Sequence, residues 1–394
     1  MGSFDTRAGS HTRLAFGFNR RSFAAAGLAM FMAGCQVIPK APAPPPPPTP
    51  EPSATALPTD TGRHRIALLI PMSGNSAAVG QAVANATTMA LLDTNASNLR
   101  ITTYDTAKGA SAAARQAVSD GNKLILGPLF SDSVPAVVAA TRGVNIPAIS
   151  FSNDTTAAGG NVFVMGHIPE QSIRRSVQYA RNRGSSNFAA LVPNGDYGQR
   201  SLSALQNSLR EFGGVLVAQQ SYARGNTSII SAAGRLRSQG GYDSVLIADS
   251  ARLATRAAGE LQRDTRAQIL GTDLWSGDAA IAGVSAMEGA LFSAVSDQRF
   301  RRFSESYEAR FGAKPVRVAT LGYDAVLLTL RVANDWKVGG DFPRAKLYDQ
   351  GGFLGVDGAF RFARSGVVER ALEVREVRSG NVVEVDPAPQ GFGN

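Results

Sequence analysis

The sequence predicts an α/β fold of two Rossmann-like, doubly wound lobes, followed by a C-terminal segment of antiparallel strands. Three observations carry that expectation. Short, continuously apolar runs alternate with stretches in which small and apolar residues recur at helical spacing. The alternation is gone through twice, the second time from about Pro169. From Phe353 to Val385 the pattern changes to residue-by-residue alternation, as in antiparallel strands with one wet face.

In the first set, Ile66-Ala67-Leu68-Leu69-Ile70 is apolar throughout and is closed by Pro71-Met72-Ser73-Gly74. Such a run suits a strand buried on both faces of a parallel sheet. A helix follows over Asn75–Leu92, with Val79, Ala82, Val83, Ala86, Met89 and Ala90 at helical spacing. Further strands are expected at Ile101–Tyr104, Lys123–Leu126, Pro147–Phe151 and Val162–Met165, with helices at Ser111–Ser119 and Ser133–Thr141. The second set opens with a helix over Glu170–Arg183. Strands at Phe188–Val192, Val215–Ala218 and Ser244–Ile247 then alternate with helices at Gly198–Phe212, Ser228–Ser238 and Ala251–Arg263. Apolar pieces at Gln268–Leu270 and Gly289–Phe292 precede two helices with no strand between them, Phe300–Phe311 and Val318–Asp335. In the tail, Phe360, Phe362 and the run from Leu372 to Val377 alternate, with a turn at Ser379-Gly380-Asn381. The layout predicts one lobe from residues 63–168 with 297–350, a second from 169–296, strands crossing between lobes over 351–385, and a tail, 386–394.

The N-terminus differs in kind. Residues 1–21 are polar and basic, Phe23 to Ala33 is a short apolar run, and Met32-Ala33-Gly34 precede Cys35, the one cysteine of the chain. A charged region, an apolar stretch too short to span a bilayer and a small-residue cleavage site make a secretory signal over residues 1–34. The last four residues resemble a lipoprotein lipobox, which implies lipid on the Cys35 thiol and stable membrane anchoring through more than one acyl chain. Arg20-Arg21-Ser22-Phe23 also resembles a twin-arginine export signal. Gln36, in place of the aspartate that goes with inner-membrane retention, points to the outer membrane, with the protein facing the periplasm. Ten of the 20 prolines fall between Pro39 and Pro58, so residues 35–62 read as a stiff linker. About 25 residues of polyproline II reach on the order of 70–80 Å.

The formal charge is +9. Four arginines against one aspartate in the signal account for three of those charges, leaving six on the mature chain. Arg174-Arg175 and Arg299-Phe300-Arg301-Arg302 lie in helix-like segments and read as solvated faces; nucleic acid is not an expected partner. With one cysteine no internal disulfide can form. The sequence has no phosphate loop, no Gly-x-Gly-x-x-Gly after a strand, no Gly-x-Ser-x-Gly elbow and no His-Glu-x-x-His; its three histidines are His11, His64 and His167. His64 and His167 read as satisfied structural residues. Neither catalysis, a cofactor nor a metal is expected.

Three motifs carry a resemblance over roughly Arg65 to Val385. Pro71-Met72-Ser73-Gly74 ends the first strand, Gly127-Pro128-Leu129-Phe130-Ser131 ends the third, and Asp196-Tyr197-Gly198 begins a helix of the second lobe. Together they resemble the type I periplasmic binding proteins. In such sheets ligands bind beyond the carboxyl ends of the strands, where hydroxyls and helix N-termini hold a carboxylate. The resemblance implies a cleft formed by Ser73, Ser131, Ser150, Ser152 and Asn153 from one lobe, with Tyr197, Asp249 and Asp273 facing them from the other. Ser73 and Ser131 can equally be read as N-caps of the helices that follow them.

Transport receptors of this kind commonly place an arginine near the first crossing between lobes, where this chain reads Met165-Gly166-His167-Ile168-Pro169-Glu170. Gly-Pro-Leu, Pro-Glu before the crossing helix, and Tyr197, Gly198 and Arg200 followed by Gly213 and Gly214 are more similar to the penicillin-binding protein activators. Those are outer-membrane lipoproteins that stimulate a peptidoglycan synthase; the best-known of them carry a helical-repeat domain ahead of the α/β part, which is missing here. The resemblance thus implies one of two non-catalytic functions. One is regulation of a peptidoglycan synthase by protein contact. The other is reception of branched-chain or related amino acids for an ABC importer.

Overall fold

A computed structural model describes residues 62–263 and 266–392. The expected signal peptide, Cys35 and the proline-rich linker lie outside the described residues. The fold is the expected α/β arrangement. Its first part runs β1 (His64–Ile70), α1 (Ala77–Asp93), β2 (Leu99–Asp105), α2 (Ala110–Ser119), β3 (Leu124–Leu126), α3 (Val134–Ala140), β4 (Ala148–Ser150) and β5 (Val162–Val164). The five strands form one wholly parallel sheet in the order β2-β1-β3-β4-β5. Strand β1 is buried on both faces, as its unbroken apolar run requires. Ile66, Leu68 and Ile70 enter one core; Ala67 and Leu69 enter another, against α2 and α3.

The second part comprises α4 (Pro169–Asn182), β6 (Asn187–Pro193), α5 (Asp196–Phe212), β7 (Val215–Tyr222), α6 (Ser228–Gln239), β8 (Ser244–Ile247), α7 (Ala251–Leu261), β9 (Gln268–Leu270) and β10 (Leu291–Ala294). Its sheet repeats the strand order of the first, with β6 in the place of β1. Helices α4 and α5 pack on one face through Ile173, Val177, Leu205 and Leu209, and α6 and α7 on the other. Strand β7 runs four residues beyond its expected end at Ala218. It is the sheet's edge, and its alternate residues are exposed.

Helices α8 (Asp297–Phe311) and α9 (Thr320–Ala333) return to the first sheet. Leu321, Ala325 and Val326 of α9 join Ile66, Leu68 and Val83 in one core, and Phe303 and Tyr307 of α8 pack on Ala82, Ala86 and Met89 of α1. The close approach of α9 to α1 depends on Gly322, where a Cβ would lie 2.6 Å from the Val83 carbonyl oxygen. Gly322→Ala is therefore expected to cost about 1–3 kcal/mol through overpacking. Thermal unfolding checks this, and an unchanged midpoint would mean the helices separate freely.

The tail divides between the two parts. Strands β11 (Phe353–Gly355), β12 (Gly358–Phe362) and β13 (Val368–Arg370) form a small antiparallel sheet whose Phe353, Phe360 and Phe362 fill the core under α9. Strands β14 (Glu373–Arg378) and β15 (Asn381–Asp386) instead extend the second sheet, β14 lying antiparallel to β10. Their turn falls at Ser379-Gly380 as expected, with both residues at positive φ, the backbone of a tight hairpin. Among the described residues no helix is long and apolar enough to cross a membrane.

Candidate functional site

The chain passes between the two parts three times: after β5 through Met165–Ile168, after β10 through Val295–Ser296, and after β13 through Ala371–Leu372. One buried polar network touches all three. Its centre is Asp357, in the β11–β12 turn and inaccessible to solvent. The carboxylate accepts from Thr320 Oγ1 (2.8 Å) and Arg317 Nη2 (3.1 Å), with His167 Nε2 at 2.7 Å and Arg370 Nη1 at 4.0 Å. Arg370 donates to the Met165 carbonyl (2.6 Å), and its own N–H is accepted by Gln171 Oε1, which ties the third crossing to the first. Arg317 reaches Asp297 Oδ1 and the Ser296 carbonyl at the second crossing. Arg375 bonds Glu373, Asp297 and the Val295 carbonyl beside it. Asp324 of α9 accepts from the backbone N–H groups of Val356 and Asp357 and so fixes the turn.

Burial alone would raise the Asp357 value. Its contact with His167 and the permanent charges of Arg317 and Arg370 hold it far below the usual carboxylate range. Burial lowers His167 despite its carboxylate partner, so its neutral form is favoured. Burial also pushes Asp273 up to about 7, and burial with the charge of Asp357 raises Asp324. Beneath the crossings lies a cavity of about 20 Å³, room for about one water. Its lining includes Asp273, Arg317 and Arg370, of which Asp273 Oδ1, Arg317 Nε and Arg370 Nε and Nη1 are buried and have no hydrogen-bond partner among the described residues.

The eight residues picked out in the sequence all fall at carboxyl ends of strands. Ser73 follows β1 and Ser131 follows β3, flanking the point where the strand order reverses. Gly127 makes the second of these turns; its φ is +103°, and a Cβ there would lie 2.2 Å from the Leu69 carbonyl oxygen. Neither serine caps a helix with its side chain, contrary to the capping reading. Ser73 donates instead to Asp105 Oδ2 (2.7 Å), and Ser131 is the first residue of a 3-10 turn rather than the residue before it. Ser150 is buried and donates to the Pro128 carbonyl, while its Oγ accepts the Ser152 N–H; Ser152 Oγ accepts the Asp154 N–H. Asn153 is exposed.

Across from them, the Tyr197 hydroxyl lies 3.1 Å from Thr272 Oγ1. Asp249 is buried and accepts from Tyr222 OH (2.6 Å) and Arg224 Nε (2.9 Å), and the Arg224 guanidinium also lies over the Tyr197 ring at 5.0 Å. Arg224 thus brings Tyr197 and Asp249 together, and Asp273 belongs with the network at the crossings.

One side chain joins the two halves directly at these strand ends. Arg200 of α5 forks onto Glu170 (2.7 and 3.0 Å) and donates from Nη2 to the Asn153 carbonyl at 2.6 Å. Arg200 and Glu170 entered the sequence reading only as marks of resemblance. Arg224, Arg317, Asp357 and Arg370 were not singled out at all, having no motif around them. His64, expected to be satisfied, stacks on Trp336 with ring centroids 4.1 Å apart, while its buried Nδ1 makes no hydrogen bond. Stacking holds it in place of polar contacts. Among the described residues no group of His, Cys, Asp and Glu is arranged to hold a metal.

A family profile described as periplasmic binding protein matches residues 64–381. The penicillin-binding protein activator LpoA of Mannheimia succiniciproducens is 24% identical over 340 residues, 83% of this chain and 56% of that protein, so the chain spans little more than half of its relative. Among solved structures, a putative branched-chain amino acid ABC transporter protein from Rhodospirillum rubrum is similar with a TM-score of 0.73 at 19% identity, over 82% of this chain and all of that one. Full-length LpoA from Haemophilus influenzae is similar with a TM-score of 0.64 at 19% identity, over 82% of this chain and 59% of that one. At these identities the likeness of structure is one of fold.

Proposed function

The chain belongs to the periplasmic binding protein family, and from that premise we propose that it is a non-catalytic envelope lipoprotein that regulates a peptidoglycan synthase, a penicillin-binding protein, by protein contact. The observation that carries this reading is the engagement of the strand-end polar groups with one another. Arg200 is spent on Glu170 and on the opposite backbone, Arg224 on Asp249 and Tyr197, Ser73 on Asp105, and Ser150 on Pro128. A zwitterionic amino acid would have to displace these bonds, and each buried partner left unpaired costs about 1–3 kcal/mol. The relationship to activators named LpoA supports the same reading. Lipid on Cys35 would hold the protein to the outer membrane facing the periplasm, and the proline-rich segment would set its distance from that anchor. The competing reading is a receptor for an amino-acid importer, its ligand held by Ser73, Ser131, Ser150, Ser152, Asn153, Tyr197, Asp249 and Asp273.

Two measurements separate them. A regulator should raise the rate of glycan polymerisation or cross-linking by a purified bifunctional penicillin-binding protein from the same cell, and should show no thermal shift with any common amino acid. A receptor at a hundredfold excess of ligand over Kd would instead gain about 2.7 kcal/mol by mass action. A saturable shift abolished by Ser131→Ala, with no stimulation of the synthase, would replace regulation by transport.

A further inference from the structure

We propose that the open groove between α8, α9 and the β11–β12 hairpin is the docking site for an acidic segment of a partner protein that also presents apolar side chains. The groove encloses about 410 Å³, within the range of ligand pockets. Its floor is apolar, made by Phe303, Tyr323, Leu327 and Val356. Leu354, 58% exposed at the end of the hairpin, continues that surface outward. Neighbouring Phe353 and Gly355 are buried, so strand alternation alone turns Leu354 out. A single exposed leucine is ordinary, but one contiguous with an apolar groove extends a binding surface.

The rim supplies the sign of the partner. Arg299 and Arg302 stand one turn apart on α8, both exposed and both lining the groove. Arg299 donates to the Gly355 carbonyl, and among the described residues no carboxylate pairs with either guanidinium. The one acidic residue in the groove, Asp93, is occupied: Arg310 bonds one oxygen at 2.6 Å and the Tyr323 hydroxyl the other at 3.1 Å. Two uncompensated cations above an apolar floor match a segment with carboxylates flanking apolar anchors. A bilayer fits less well, because Leu354 is the one large apolar side chain of the groove that is exposed; Phe303, Tyr323, Leu327 and Val356 are buried or half-buried. The groove shares no lining residue with the cavity beneath the crossings or with the strand-end residues, so the proposal stands whether or not the partner is a synthase.

The test places a photo-cross-linking amino acid at Ser306, exposed in the groove, in the full-length protein within its own cell, with Gln219 on β7 as the control position. The expected product joins residue 306 to one protein, through a segment carrying Asp or Glu beside apolar residues. Its yield should fall about tenfold or more with Arg302→Glu and with Leu354→Asp, and stay unchanged with the charge-matched control Arg252→Glu. Both groove substitutions are at exposed positions, and unchanged melting shows that they fold. Cross-linking at 306 no stronger than at 219, a captured segment without acidic residues, label on lipid, or indifference to Arg302→Glu would each overturn the proposal.

Discussion

A chain carrying Asp357→Ala is expected to lose about 3–5 kcal/mol of stability, the cost of breaking a buried ion pair by removing one partner. Arg370 would keep its charge with a side chain only 1% exposed, Arg317 would be left with Asp297 as its carboxylate, and His167 would lose its carboxylate partner. Asp357→Asn keeps the shape and one acceptor oxygen and should lose less. Equilibrium denaturation of the domain checks both. A loss below about 1 kcal/mol for the alanine variant would mean that water replaces the carboxylate. The pH dependence gives the sign independently. Asp357 is held far below its unfolded value, so its contribution is complete above about pH 4 and disappears as pH falls further. Asp273 and Asp324 are raised, so the native state binds their protons more tightly, and their contribution falls as pH climbs from about 4 through about 7. His64 and His167 are lowered and so act the other way, adding stability as pH rises towards about 6.5; the acid limb is the one that Asp357 sets. Asp357→Ala should flatten the acid limb and shrink the Asp324 part of the other limb, leaving the Asp273 part in place.

A Cys35→Ala chain is expected to leave the outer membrane almost completely. One acyl chain holds a protein only marginally and two or more hold it stably, so losing the acceptor thiol removes the anchor at once. The unprocessed precursor should be retained by its signal sequence or released, and should take up no radiolabelled fatty acid. Fractionation and labelling of cells making either form check this. Outer-membrane recovery equal to the unaltered chain would end the lipoprotein reading, and with it the idea that the linker measures a distance from the membrane.

Secondary structure was legible because the parallel strands inside each sheet are buried on both sides and most helices on one, and those environments leave different periods in the sequence. Ile66 to Ile70 and Ser244 to Ile247 could hardly be anything but buried strands. The partition of the tail was not legible. Phe360 and Val374 alternate alike, yet one lies under α9 and the other extends the sheet through β10. Strand pairing depends on which edge is open, and composition does not record that. The strand-end residues were found from short motifs at turns, where backbone geometry restricts the choice of residue, as at Gly127. The network around Asp357 left no such trace. His167 and Asp357 are separated by 190 positions, and Arg317 and Arg370 look like any surface cation until the chain is folded.

The return of α8, α9 and β11–β13 to the first sheet has a consequence for biogenesis. That half of the molecule is assembled from two separated stretches, with all of the other half except β14 and β15 made in between. When β5 is complete, about 170 residues must still be added before α9 is finished. At roughly 5–20 residues per second this takes on the order of 10–30 s. Throughout that interval the face of β1 bearing Ile66, Leu68 and Ile70 has α1 on it but lacks α9, the other helix of that core. A chain in this condition is a substrate for holding chaperones, and one truncated before Ala333 cannot close its core.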